Sequence, residues 1–140
     1  MAEKIEFVID GDPMGKQRPR LTRDGHAYTP KETRDYEAKV IAAFRMAYPD
    51  FVRYEKGVPL KFKAKAYYKI PMSASKKQRQ LMLDGVVKPT VRADEDNVLK
   101  ILQDSLNGVA WYDDAQITNG GVVKRYSEYP RVEVEISEDK

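Results

Sequence analysis

The chain has 140 residues, 41% of them hydrophobic and 34% charged, which suits one folded domain (1–140) and excludes a disordered chain. Lys and Arg total 25 against 22 Asp and Glu, a net charge of +3 that permits a nucleic-acid partner without requiring one. No Cys is present and His26 is the only histidine, so a disulfide framework, a thiolate site, a cysteine nucleophile and a multi-histidine zinc site are excluded.

In chain order, Ile5, Phe7 and Ile9 alternate with Glu6 and Val8 as a short strand ending at Asp10-Gly11-Asp12-Pro13. Residues 11–28 carry basic residues without a long apolar pattern and read as an irregular loop or hairpin. A helix then opens with Thr29 as N-cap, Pro30 in the first helical position and Glu32 completing a capping box. Its apolar residues Tyr36, Val40, Ala43, Phe44 and Ala47 recur at helical spacing until Pro49. Leu60, Phe62, Ala64, Ala66, Tyr68 and Ile70 alternate with Lys61, Lys63, Lys65, Tyr67 and Lys69, a strand with one apolar face and four lysines on the other. A short polar helix follows over roughly 74–83, then a Pro- and Gly-containing connector over 84–92. The next helix runs from about Glu95 to Asn107, closed by Gly108. Two strands finish the chain, 117–126 with a bulge or bend at Gly120-Gly121, and one built on Val132, Val134 and Ile136. This order implies an α+β fold with helices against one mixed sheet.

Charge is segregated. Residues 61–92 hold nine basic residues and one acid, whereas 94–114 hold six acids and one base, Lys100. Lys16, Arg18, Arg20 and Arg23 add a cationic stretch near the N-terminus. The strand lysines read as a solvated face that guards an edge against sheet-to-sheet pairing. The whole layout is better explained by a phosphate-binding track beside a carboxylate pocket. Lys16, Arg18 and Arg20 are the candidate phosphate contacts.

On a helical wheel Val98, Leu99, Leu102, Leu106 and Val109 form one arc, while Asp96, Lys100, Gln103, Asp104 and Asn107 lie opposite. Asp94 suits the N-cap, and acids at a helix start are favoured by its free amides and dipole. That does not explain Asp113-Asp114, placed after the helix turns back. Several carboxylates converging without His or Cys suit Mg²⁺ or Mn²⁺, which take oxygen ligands at roughly 2.0–2.2 Å. A calcium loop of EF-hand type is excluded because Leu99 stands where Gly is needed. A haloacid-dehalogenase nucleophile is excluded because no buried strand precedes Asp94.

The runs Asp94-Glu95-Asp96-Asn97-Val98-Leu99-Lys100, Asp104-Ser105-Leu106-Asn107-Gly108 and Trp111-Tyr112-Asp113-Asp114-Ala115-Gln116-Ile117 resemble the RusA family of Holliday-junction resolvases. Pro13-Met14-Gly15-Lys16-Gln17-Arg18-Pro19-Arg20 and Tyr28-Thr29-Pro30 are similar to that family's N-terminal pattern, so the resemblance spans the chain. Glu95 departs from it, standing where the family often has a hydrophobic residue.

The resemblance implies a homodimeric, Mg²⁺-dependent endonuclease that nicks four-way DNA junctions symmetrically and is often encoded by prophages. It implies catalytic, metal-holding carboxylates at Asp94, Asp96 and Asp114 and an active-site lysine at Lys100. Asp113 is a possible further ligand, and Asp104 is expected to anchor Lys100. Trp111 is expected to pack behind the Asp113-Asp114 turn; Tyr67, Tyr68 and Tyr112 read as core or interface residues. No signal peptide, membrane span or small-molecule cofactor is expected, and the cytoplasm is the expected location. Two other readings stay open: a DNA-binding module that uses the acids structurally, and a nuclease for other branched DNA.

Overall fold

A computed structural model describes residues 4–140. Strand β1 (Ile5–Asp10) turns Ile5, Phe7 and Ile9 inward, as the alternation predicts. The basic loop contains a small hairpin, β2 (Arg20–Leu21) against β3 (Ala27–Tyr28). Helix α1 (Lys31–Ala47) buries Thr33, Tyr36, Val40 and Phe44. Its start corrects the sequence reading. Pro30, not Thr29, is the cap: its ψ of 148° keeps it outside the helix while its carbonyl accepts the Arg34 N–H at 3.1 Å. Proline has no side-chain acceptor, so the expected capping box does not form.

Strand β4 (Leu60–Lys69) is followed by helix α2 (Lys76–Leu83), which Ser75 and Gln78 open with a reciprocal capping box. No residue of α2 is buried. Helix α3 (Glu95–Leu106), strand β5 (Ile117–Ser127) and strand β6 (Arg131–Glu138) complete the order expected from sequence. The sheet runs β1-β6-β4-β5, with β4 and β5 parallel and the other neighbours antiparallel. It is therefore the mixed sheet of an α+β fold.

One face of the sheet is covered. Inward residues of β1, β4 and β6 and Val122 of β5 share a core with Tyr36, Val40 and Phe44 of α1 and Val98, Ile101, Leu102 and Leu106 of α3. Ile101 lay outside the arc drawn from sequence yet is fully buried, because α3 packs against both α1 and β5. Slipping β4 by one residue would turn its lysines into this core, so apolar burial fixes its register.

Two further expectations change. The irregularity between β4 and β5 lies at Thr118, where Leu60 pairs with Ile117 and Lys61 with Asn119; Gly120 and Gly121 pair regularly. Gly120 instead gives room for α3, since a Cβ there would lie 3.3 Å from Gln103 Nε2 and 3.6 Å from Leu99 Cδ2. The β4 lysines guard no edge, because β4 lies between β6 and β5. Among the described residues no helix is long and apolar enough to cross a membrane.

Candidate active site

The candidate acids sit at the two ends of α3. At its start Asp94 is the N-cap, its Oδ1 accepting the Asn97 N–H at 2.9 Å. Glu95 and Asp96 occupy the exposed first turn, where the helix dipole favours negative charge. A cleft of about 420 Å³ beside this start brings Asp94 together with Arg92 and Lys124. Lys124 donates to the carbonyls of Val91 and Ala93, at 2.5 and 3.0 Å, and so fixes the segment entering the helix. The sequence reading missed that role; the signal was a lone lysine on the covered side of a strand. Lys100, one turn after Asp96, is exposed, with no ion pair among the described residues.

At the far end the chain reverses through Gly108, whose φ of +81° suits glycine. Trp111 is fully buried, edge-on to Phe62 at 5.9 Å, and its Nε1 donates to Asp114 at 2.9 Å. Asp113 caps the 3₁₀ turn Asp114–Gln116 by accepting the Ala115 N–H. Gln116, buried, holds this turn from beneath. Its Oε1 accepts the N–H groups of Tyr112 and Asp113, and its Nε2 donates to the carbonyls of Glu55 and Val58. Trp111 thus packs behind the acidic turn as expected, and Tyr68 is buried. Tyr112 is 41% exposed, with the Arg53 guanidinium 3.8 Å from its ring centre. Tyr67 is half-buried beneath Arg131.

Burial raises the Asp114 pKa above its ordinary value; the indole hydrogen bond opposes this, and the nearby Asp104 and Asp113 charges reinforce it. Asp104 is therefore close enough for its charge to act on Asp114. The cation that Asp104 holds is Lys16, at 3.2 Å, and not Lys100 as the spacing implied. Lys16 also pairs with Glu37 at 3.0 Å and is half-buried. Burial alone would lower the Lys16 pKa, but its hydrogen bonds and charge contacts with Glu37 and Asp104 outweigh that and raise it. The Lys16 ammonium thus ties the N-terminal loop to α1 and α3, which corrects its expected place among the phosphate contacts. Arg18 and Arg20 are exposed and have no ion pair among the described residues.

The loop is seated closely. The Lys16 N–H donates to the Asn97 carbonyl at 3.0 Å, and a Cβ on Gly15 would collide with the Ala93 Cβ. This contact seats the irregular loop on the start of α3.

The expected convergence of Asp94, Asp96 and Asp114 is not met within one chain. Among the described residues no three Asp, Glu or His side chains come together as a metal-binding group. The reason is geometric. Asp96 and Asp104 are eight residues apart, about 12 Å along the helix axis, and Asp114 adjoins the Asp104 end.

Residues 10–137 match the family described as Endodeoxyribonuclease RusA. The chain is also 33% identical over 139 residues to "Uncharacterized protein YqaN" of Bacillus subtilis (strain 168), with 96% of each chain covered. The nearly full-length match takes in the seated loop, α3 and the acidic turn together, and by it the chain belongs to the RusA family of endodeoxyribonucleases.

Proposed function

We propose that the protein is a Mg²⁺-dependent endonuclease that acts in the cytoplasm, as a homodimer, on four-way DNA junctions and introduces paired nicks. The observation that carries this is the Asp114 carboxyl, held half-buried beside Asp104 and Asp113 by a dedicated turn. Burying like charges together costs stability, and such clusters are a feature of functional sites. An all-oxygen donor set suits a hard divalent cation, Mg²⁺ or Mn²⁺; because Asp94 and Asp96 lie at the opposite end of α3 from Asp114, a cation held by all three would need ligands from two copies of the chain or a movement within one. Such a cation, when bound, polarises a phosphodiester and lowers the pKa of its water.

The remaining roles belong to the chain itself. Lys100, exposed one turn beyond Asp96, meets charge that develops on the phosphate. Arg18 and Arg20, on a loop seated against α3, hold flanking phosphates. Trp111 and Gln116 keep the Asp113-Asp114 turn in place. Asp104 keeps Lys16, and through it the loop, against the helix.

A second reading, a DNA-binding module that cuts nothing, is favoured by the separation of the acids along α3. Comparing four-way, three-way and linear duplex DNA at fixed salt, with and without Mg²⁺, tests both. Symmetric Mg²⁺-dependent nicks confined to the four-way junction support the proposal. Binding without nicking supports the module, and equal nicking of three-way DNA makes the protein a general branched-DNA nuclease.

A further inference from the structure

The segment 53–58, which leads into β4, runs along the acidic turn and is laced to it. The Arg53 Nη1 donates to the Gly108 carbonyl at 2.9 Å, and the Tyr54 N–H to the Ala110 carbonyl at 3.0 Å. Gln116, which holds the Asp113-Asp114 turn, donates from Nε2 to the Glu55 and Val58 carbonyls at 2.8 and 3.1 Å. Between these carbonyls Lys56 and Gly57 form a turn, closed by the Val58 N–H on the Glu55 carbonyl, with Gly57 at a φ of +79°. The backbone that carries two cations is thereby fixed beside the acidic turn, and both cations meet one ring. The Arg53 guanidinium lies 3.8 Å from the Tyr112 ring centre and the Lys56 ammonium 5.3 Å from it.

We propose that these residues form a nucleotide subsite: Tyr112, backed by Arg53, stacks on an unpaired base of the DNA strand beside the cleaved phosphate, and Lys56 contacts that nucleotide's phosphate. The subsite rests on the nuclease reading and deepens it.

Placement is the first argument. Tyr112 stands two residues before Asp114, so their Cα atoms are at most about 7.6 Å apart. A nucleotide next to a phosphate held at Asp114 comes within reach of the ring. Exposure is the second. Trp111 fills the core, but its neighbour Tyr112 is 41% exposed, and Arg53 covers only one face of the ring. A base stacked on the ring finds a flat apolar surface with a cation behind it, and such stacking tolerates any sequence because every base has a π-face. Charge is the third. Neither Arg53 nor Lys56 has a carboxylate within ion-pair distance among the described residues, although Glu55 and Asp113 are close in sequence to them and to Tyr112. The Arg53 bond to Gly108 closes the end of α3 and explains that arginine alone; it explains neither Lys56 nor the exposed ring. Bases within a linear duplex are already stacked on their neighbours, whereas those at a branch point or in a single strand are open to an aromatic side chain. The subsite therefore favours branched and single-stranded DNA.

Binding of the full chain to a four-way junction, an oligothymidylate and a linear duplex tests this, by fluorescence anisotropy without divalent cation at several salt concentrations. Circular dichroism verifies folding. Tyr112→Ala should weaken junction and oligothymidylate binding at least about fivefold and change duplex affinity less than about twofold, while Tyr112→Phe should bind as wild type does. Arg53→Met should cost junction affinity when Tyr112 is present and no more than about twofold further in Tyr112→Ala, because it acts through the ring. Lys56→Gln should lower the salt slope of junction binding by about one. If Tyr112→Ala fails to fold, Tyr112→Leu takes its place with the same expectations. The proposal is overturned by a folded Tyr112→Ala or Tyr112→Leu that binds the junction as tightly as wild type, or that loses affinity equally for the duplex. It is also overturned by a Tyr112→Phe as weak as Tyr112→Ala, by an Arg53→Met loss that is undiminished in Tyr112→Ala, or by an unchanged salt slope in Lys56→Gln. The subsite and the nuclease fail separately. A wild type that nicks junctions in Mg²⁺, with Tyr112→Ala binding them as tightly, sinks only the subsite; variants that behave as expected in a protein that nicks nothing sink only the nuclease.

Discussion

The two ends of α3 carry the same kind of side chain in opposite settings. At its start, Asp94, Glu95 and Asp96 are exposed, and the helix itself gives them a reason to be acidic: Asp94 caps an amide and the dipole favours negative charge. At its end, Asp114 is half-buried, and the neighbouring Asp104 and Asp113 charges disfavour its ionised form. Acids at the start are compatible with stability alone, whereas those at the end work against it. The far end is therefore the stronger sign of function, although the first D-x-D is the more conspicuous pattern in the sequence.

Asp114→Asn sharpens this contrast most. The amide oxygen can still accept the Trp111 N–H, but the charge disfavoured by burial and by two neighbouring acids is gone. Junction nicking should fall by at least about 100-fold, while thermal stability at neutral pH rises. The sign follows from linkage. A carboxyl whose pKa is raised on folding has its stabilising contribution in full below the ordinary 3.8, and loses it as pH rises through the raised value. The variant's advantage should accordingly be absent in acid and grow toward neutrality in thermal melts. A variant less stable than wild type at neutral pH would break the comparison.

Gly15→Ala tests how the loop is seated on the start of the helix. The new methyl meets the Ala93 Cβ, so the loop must lift, at a cost of about 1–3 kcal/mol. Exchange of the Lys16 amide proton, bonded to Asn97, should accelerate. Lys16→Met leaves Glu37 and Asp104 half-buried without their cation, and chemical denaturation should show a loss of about 1–2 kcal/mol. Because folding raises the Lys16 pKa, the wild type's advantage over this variant should hold below about 10.5 and fade as pH rises through the raised value.

The smallest effect is expected at Tyr36, away from both ends. Its hydroxyl is buried without a hydrogen-bond partner among the described residues, and burial, with the nearby Tyr68, pushes its pKa up to about 12. Tyr36→Phe should change neutral stability by about 1 kcal/mol or less. It should also lessen the loss of stability as pH rises from 10 toward about 12, measured by alkaline denaturation.

Much of the fold was legible because burial is periodic. The alternation in β1, β4 and β6 and the stripe on α1 placed these elements within a residue or two. Local turn chemistry was less legible. Thr29-Pro30 carries the letters of a good helix start, but the ψ of Pro30 delays the helix by one residue. Gly120-Gly121 carries the letters of a bulge, yet the first glycine serves the approach of α3. The sequence identified both acid groups at the site but not their separation, because spacing along a helix gives a face and a distance only for residues on that helix. Nor could it show that Lys16, 88 positions before Asp104, is its partner. Long-range ion pairs have no periodicity to read.

The account depends most on the start of α3, whose acids have a structural explanation of their own. The most direct measurement is therefore cleavage and binding of a four-way junction by Asp96→Asn in Mg²⁺. The account predicts that nicking disappears while junction affinity is unchanged or rises, since a negative charge facing phosphate has been removed. Nicking at the wild-type rate would contradict it.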